Sequence, residues 1–332
     1  MASIASPRER HKLQSYIAYL TARFLMALFR LLPRSLSIGM LNLAALLAYW
    51  VDVKHRRIAR TNLTIAFPEL TPRERDRIGW RSFQNTARNL VEAARLPLLS
   101  PQNIGSLVEY DSQFGLENYL LARRTGKPLL YLTGHFSAWE LLPAAHALYG
   151  YPLSFVTRPL DNPPLERYVL RLREASGNKT VPKKNSTRVI LEKLKQGEAV
   201  GILMDQNTSP QEGIFADLFG VPAATSTSLA LFALRTHAVV LPGFLTPSIG
   251  GKYRIRFLEP LDLIRTGDMN RDVELNTRVF NRILEGIIRQ YPETWLWGHK
   301  RWKNRPDENS PDLYELSPED LMEFLKQRKD RR

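Results

Sequence analysis

From Pro101 onward the sequence alternates short β-rich runs with stretches of helical pattern, and this alternation constrains the fold more than any other feature. The β-rich runs are Pro128 to Thr133, Leu153 to Thr157, Ala199 to Met204, Val239 to Leu245 and Tyr253 to Phe257. Helical patterns fill Leu141 to Tyr149, Leu165 to Ala175, Thr187 to Lys195, Ser226 to Thr236 and Asn270 to Tyr291. Strand alternating with helix predicts an α/β fold, with a mostly parallel central sheet flanked by helices. Ahead of it, Leu70 to Leu99 reads as a helix. Thr71 and Glu74 form a capping pattern there, with Pro72 at the first helical position. Apolar residues make up 44% of the chain, enough for a real core and too many for a disordered one.

In such folds reactive groups collect beyond the carboxyl ends of the strands. The chain has six histidines. His11 lies near the N-terminus, His55 in a basic cluster, and His146 and His237 within helical patterns. His299 belongs to a Trp-rich segment. Only His135 follows a strand directly, after Gly134, and Glu140 comes five residues later. On one regular helix these two side chains would point about 140° apart. They can meet if His135 sits in the turn and Glu140 in the first helical turn. The carboxylate would then fix the imidazole tautomer, leaving the other ring nitrogen as a general base. A competing reading has Ser137 and Glu140 forming a capping box.

Two more strand ends carry polar groups. Arg158 and Asn162 follow the second run, where an arginine can hold a phosphate or an oxyanion or simply cap a surface loop. Asp205 and Gln206 follow the Ala199 run, suited to orienting a ligand or to closing a turn. There are no cysteines, which excludes thiolate metal sites, disulfides and a cysteine nucleophile. Neither G-x-S-x-G nor H-E-x-x-H occurs, and no metal site is expected. The segment WLWGHKRWK, Trp295 to Lys303, interleaves aromatics with cations. That composition suits a membrane interface, a phosphorylated headgroup, or a packed cluster with exposed charges.

The net charge is +14, and it is concentrated. Residues 1–95 hold 16 Lys and Arg against 6 Asp and Glu. The same quarter is the most apolar. Ser35 to Val51 runs 17 residues without a charge, about 25 Å as a helix against a hydrocarbon core of about 30 Å. Tyr49 and Trp50 close the run, and Lys54, Arg56, Arg57 and Arg60 follow. A signal peptide does not fit a run this deep in the chain. A buried helical hairpin remains open beside membrane association, either spanning or lying in the interface. The basic cluster suits anionic lipid, and its position assigns the bulk of the protein to the cytoplasmic side. No nucleic-acid-binding pattern is present, so nucleic acid is not an expected partner.

Taken together, GHFSAWELL, RPLDNP, MDQN, NLTIAFPELTPRER, the Gly213 to Phe244 segment and YPETWLWGHKRWKNRP resemble the late lipid A biosynthesis acyltransferases of lauroyl and myristoyl type. These are relatives of the glycerophospholipid His-x4-Asp acyltransferases, and the resemblance runs from about Leu28 to Pro306. It implies an inner-membrane enzyme with its catalytic domain on the cytoplasmic face. Such an enzyme moves a fatty acyl chain from acyl carrier protein to a hydroxyl of a lipid A precursor, without a cofactor. It also implies that His135 and Glu140 are the catalytic pair and that Arg158 and Asp205 are functionally important; Asn162 and Gln206 are expected beside them at the substrate. The chain departs from the family pattern at Phe136-Ser137-Ala138, and at Ser226 and Ser228. Another membrane glycolipid as acceptor, or a non-catalytic lipid-binding protein of this fold, remains open. The organisation expected is membrane-associating helices over 1–60, an α/β acyltransferase domain over 61–310, and a charged C-terminal helix or tail over 311–332.

Overall fold

A computed structural model describes residues 7–183 and 186–330, with side chains from residue 13 onward. The side chain of His11 and the last two residues of the basic tail lie outside the described residues. Four helices come first: α1 (Pro7–Leu31), α2 (Arg34–Val51), α3 (Val53–Ala66) and α4 (Pro72–Arg95). The α/β part follows as β1 (Val108–Tyr110), α5 (Leu116–Arg124), β2 (Leu129–Thr133), α6 (Leu141–Leu148), β3 (Ser154–Thr157), α7 (Pro163–Glu174), β4 (Lys179–Pro182), α8 (Ser186–Lys195) and β5 (Ala199–Leu203). A hairpin of β6 (Gly213–Leu218) and β7 (Val221–Ser226) precedes α9 (Ser228–Thr236), β8 (Val239–Pro247), β9 (Tyr253–Phe257), α10 (Met269–Gln290) and α11 (Pro318–Asp330).

Seven strands form one sheet in the order β1-β9-β8-β2-β5-β3-β4. All neighbours are parallel except β8 and β9, which are antiparallel. The expected α/β fold with a mostly parallel sheet is therefore what the chain adopts. Side chains alternate across the sheet as strand geometry requires. Leu130, Leu132, Val200 and Ile202 enter one apolar core with α8, α9 and α10. Leu129, Tyr131, Leu241 and Ile255 enter another with α5 and α6. Both faces are covered, so the strands read as nearly continuous apolar runs.

The helix start expected at Thr71 holds, and α10 shows a second local cap. Thr71 and Glu74 form a full capping box with Pro72 in the first turn, and Asp268 caps α10 through the Asn270 and Arg271 N–H groups. Helix α4 stops at Arg95, short of Leu99, because Pro97 supplies no N–H and the chain tightens into a single 3₁₀ turn over Leu96–Leu98. Strands β1 and β4 were not anticipated. They are short edge strands of 3 and 4 residues, too brief for an alternation to register. Nor was the β6–β7 hairpin. Its two-residue turn puts Phe219 (φ 51°) and Gly220 (φ 77°) in the left-handed region, where Asn-Gly is the usual signal. Phe219 is held there by its N–H to Glu285, 2.7 Å, and by packing on Phe67.

The Trp-rich segment is core, not surface. Trp295, Trp297 and Trp302 are 3%, 0% and 2% exposed, and Arg301 is fully buried among them. Of the readings open for WLWGHKRWK, only the packed cluster survives. It is tied to the N-terminal helices by Asn62 of α3, itself fully buried. The Asn62 amide donates to the Trp297 and His299 carbonyls, both at 2.7 Å, and accepts from the Tyr314 hydroxyl at 2.6 Å. Asn62→Ala would leave the Trp297 carbonyl and the Tyr314 hydroxyl proton without their buried partner, and the His299 carbonyl without its bond at the core's edge. It should lower unfolding free energy by about 3 kcal/mol in urea titrations followed by tryptophan fluorescence.

Candidate active site

Strands β2 and β5 are parallel neighbours in register, Thr133 opposite Leu203. Their carboxyl ends therefore deliver His135 and Asp205 side by side, although 70 residues separate them. The Met204 N–H still bonds the Thr133 carbonyl, which carries the pairing one step past the strands. Gly134 makes the approach possible. A Cβ built there would stand 2.9 Å from Asp205 Cγ, closer than real Cβ atoms come.

The Asp205 carboxylate is 2% exposed and accepts three hydrogen bonds. Oδ1 pairs with His135 Nδ1 at 2.9 Å. Oδ2 accepts from the His135 backbone N–H and from Trp295 Nε1, both at 2.8 Å. Burial would raise the pKa of this acid. The charge of His135 and the three hydrogen bonds outweigh burial and hold it at about 2. For His135 burial acts downward, but the charge and hydrogen bond of Asp205 act upward and prevail, with a smaller contribution from Glu140. The imidazole pKa stands above its ordinary 6.5. Paired this way, Nδ1 carries the proton and Nε2 is left with a lone pair toward the cavity.

That cavity has a volume of about 680 Å³, within the usual range for small-ligand sites. Its polar end carries His135, Gln206, Glu140, Arg173, Arg158 and Lys183; its apolar walls include Leu142, Leu153, Phe155, Val156 and Phe232. Trp139 stands edge-on to the imidazole, ring centres 5.4 Å apart. The Gln206 amide nitrogen lies 3.4 Å from His135 Nε2. His299 braces the next residue by accepting the Asn207 N–H at 3.2 Å. Burial pushes its pKa down to about 4, so it is neutral.

The structure redistributes the expected residues. The carboxylate on the His135 ring is Asp205, not Glu140. Glu140 instead takes a bidentate pair from Arg173, at 2.6 and 2.9 Å, on the cavity wall. The reason is local geometry. Ser137 adopts φ 54°, which swings the chain between His135 and α6 and keeps Glu140 off the imidazole. Nor does Glu140 cap α6, so the capping-box reading is not realised either. Ser137 is fully buried, away from the cavity lining. Asp205, expected at the substrate, sits behind His135 rather than in the cavity wall. Asn162 is also off the cavity: it caps α7 through the Leu165 N–H and donates to the Ser15 carbonyl of α1 at 2.7 Å. Arg158 and Gln206 do line the cavity, Arg158 with its side chain exposed. Among the described residues no group of three or more His, Asp and Glu could hold a metal ion.

Two contributors escaped the sequence reading. Trp295 is in the Trp-rich segment whose role the sequence left open, and nothing in its local sequence points to a carboxylate. Arg173 sits on α7, 33 residues from its partner Glu140.

Similarity to known proteins bears on the resemblance drawn from the motifs. The profile of the bacterial lipid A biosynthesis acyltransferases matches residues 5–304. A lipid A biosynthesis acyltransferase of Haemophilus influenzae is 25% identical over 280 residues, 82% of this chain and 84% of the relative. The lipid A biosynthesis lauroyltransferase of Escherichia coli is 26% identical over 263 residues, 79% of this chain and 83% of the relative. The lipid A biosynthesis myristoyltransferase of Escherichia coli is 25% identical over 269 residues, 79% and 80% of the two chains. A profile spanning nearly the whole chain makes this protein a member of the bacterial lipid A biosynthesis acyltransferase family.

Proposed function

We propose that this acyltransferase moves a fatty acyl chain from acyl carrier protein to a hydroxyl of a lipid A precursor, at the cytoplasmic face of the inner membrane. The observation that carries the reading is the His135–Asp205 pair, with His135 Nε2 facing the cavity. A thioester donor needs no metal and no redox group, only a base for the acceptor hydroxyl and donors for the oxyanion.

In the proposed step Nε2 of His135 takes the proton of the acceptor hydroxyl as its oxygen attacks the thioester carbonyl. Asp205 stabilises the imidazolium that forms. The backbone N–H groups of His135, Phe136, Ser137 and Glu140 are already bonded elsewhere, so none of these four is free for the oxyanion. The Gln206 amide and the Arg158 guanidinium are the candidates. The tetrahedral intermediate then collapses to the ester and expels the thiolate, which takes the proton back from His135. Glu140, held by Arg173, lines the cavity as a fixed charge, and its negative field favours the same imidazolium. The basic N-terminal quarter supplies attraction for anionic lipid and for acidic acyl carrier protein.

Mass spectrometry of lipid A precursors incubated with acyl carrier protein thioesters tests this directly. His135→Ala and Asp205→Asn should each lower the rate by roughly 10²–10⁴-fold, and wild-type rates in both variants would sink the mechanism. The pH profile has a definite sign. Neutral His135 is the active form and its pKa stands above 6.5, so kcat/KM should rise with pH along a limb centred above the ordinary histidine value. Asp205→Asn removes the main upward influence, so the limb should move to lower pH while the plateau drops. Glu140→Gln should move it less, its influence on His135 being the smaller.

A further inference from the structure

The outward faces of α1 and α2 each carry an exposed apolar stripe. On α1 it comprises Leu13, Ile17, Leu20 and Phe24, and on α2 Leu36, Met40, Leu43 and Leu47. Both sets follow helical spacing, so each is one stripe along its helix. The opposite face of α2 is occupied: Ser37, Ala45 and Tyr49 are buried. By length and composition α2 could cross a membrane. Its attachments argue against that.

Helix α2 is fastened at both ends to α4. At its start the Arg34 guanidinium binds Glu92 at 2.6 and 3.0 Å, near the end of α4. Near its finish the Tyr49 hydroxyl donates to Asp76, in the first turns of α4, at 3.3 Å. The two helices therefore run antiparallel along the whole of α2. Helix α4 is strongly charged, and Arg77 and Arg88 on it are exposed. A spanning α2 would draw those arginines into hydrocarbon, where they are strongly disfavoured. Helix α1 is fastened likewise, by Asn162 to the Ser15 carbonyl and by Arg30 to the Ala94 carbonyl and the Tyr168 hydroxyl.

We infer that α1 and α2 lie flat in the interface of a single anionic leaflet, docking the enzyme without crossing the membrane. Charge at the rim fits that occupant. Trp50 and Val51 are exposed at the end of α2, and Lys54 and Arg57 follow, both exposed and without a hydrogen-bond or ion-pair partner among the described residues. The surface is also continuous with the cavity. Asn162 binds α1 at the end of the loop that carries Leu160, which is exposed and lines the cavity. A lipid acceptor would thus reach His135 from the leaflet itself. This deepens the acyl-transfer reading and rests on it only for what enters the cavity.

The absence of cysteines makes the test clean. Leu36→Cys, Leu43→Cys and Trp50→Cys each carry one fluorophore, on the full chain bound to vesicles of phosphatidylethanolamine and phosphatidylglycerol. Lipid-borne quenchers at shallow and deep positions should place all three dyes at one shallow depth, in the outer leaflet. Lys54→Ala with Arg57→Ala, or omission of phosphatidylglycerol, should weaken vesicle binding roughly tenfold or more. A deep Leu43 dye with Leu36 and Trp50 in opposite leaflets overturns the inference, as does binding indifferent to phosphatidylglycerol. Acyl transfer by the same variants in detergent micelles is read separately. Turnover without the flat topology overturns this inference alone, and flat docking without turnover overturns the function alone.

Discussion

The Asp205 carboxylate is the interaction on which the rest of the site depends. A buried carboxylate is costly unless its lone pairs are used. Here three donors use them, and they come from two distant parts of the chain. The His135 ring and backbone arrive from the end of β2, and the Trp295 indole from the segment after α10. Each donor is itself fixed, His135 by the β2–β5 pairing and Trp295 by burial in the tryptophan cluster. The acid therefore stays ionised and immobile, and only one face of the imidazole is left to change its hydrogen bond. Such preorganisation is what a general base requires.

The tryptophan segment acts as a strut between this site and the remainder of the fold. The Trp295 carbonyl accepts the Ser82 hydroxyl of α4, and the Trp297 carbonyl accepts Asn62 of α3. Arg301 reaches the Ala224 carbonyl and Thr225 hydroxyl of β7, at 2.7 and 2.6 Å. Burial lowers its pKa to about 10, which still leaves it charged at neutral pH. Helices α3 and α4, the latter holding α2, are thus linked through the core to the carboxylate on the His135 ring.

Legibility followed the range of the forces involved. Five strands of the main sheet and the main helices were readable because their patterns are local: apolar runs, a capping box, proline stops. Edge strands β1 and β4 were too short to show a period, and the hairpin turn at Phe219 uses an unusual residue stabilised from Glu285 of α10. His135 was legible because it directly follows a strand, in the one place where a parallel sheet exposes a polar side chain. Its partner was not. Glu140 is close in sequence, and closeness in sequence was the only distance available.

Sequence alone determined the α/β class, the location of His135 at a strand end, the exclusion of thiol chemistry and the joining of an apolar run to a basic cluster. Residue types and local spacing suffice for those. Tertiary structure decided that Asp205 orients His135, that Glu140 faces Arg173, that the tryptophans are buried, and that α2 is held lengthwise on a charged helix. Each of these depends on which segments the sheet order brings together. A pairing across 70 or 90 residues leaves no periodic trace in the chain, because no local rule couples residues that only the folded sheet makes neighbours.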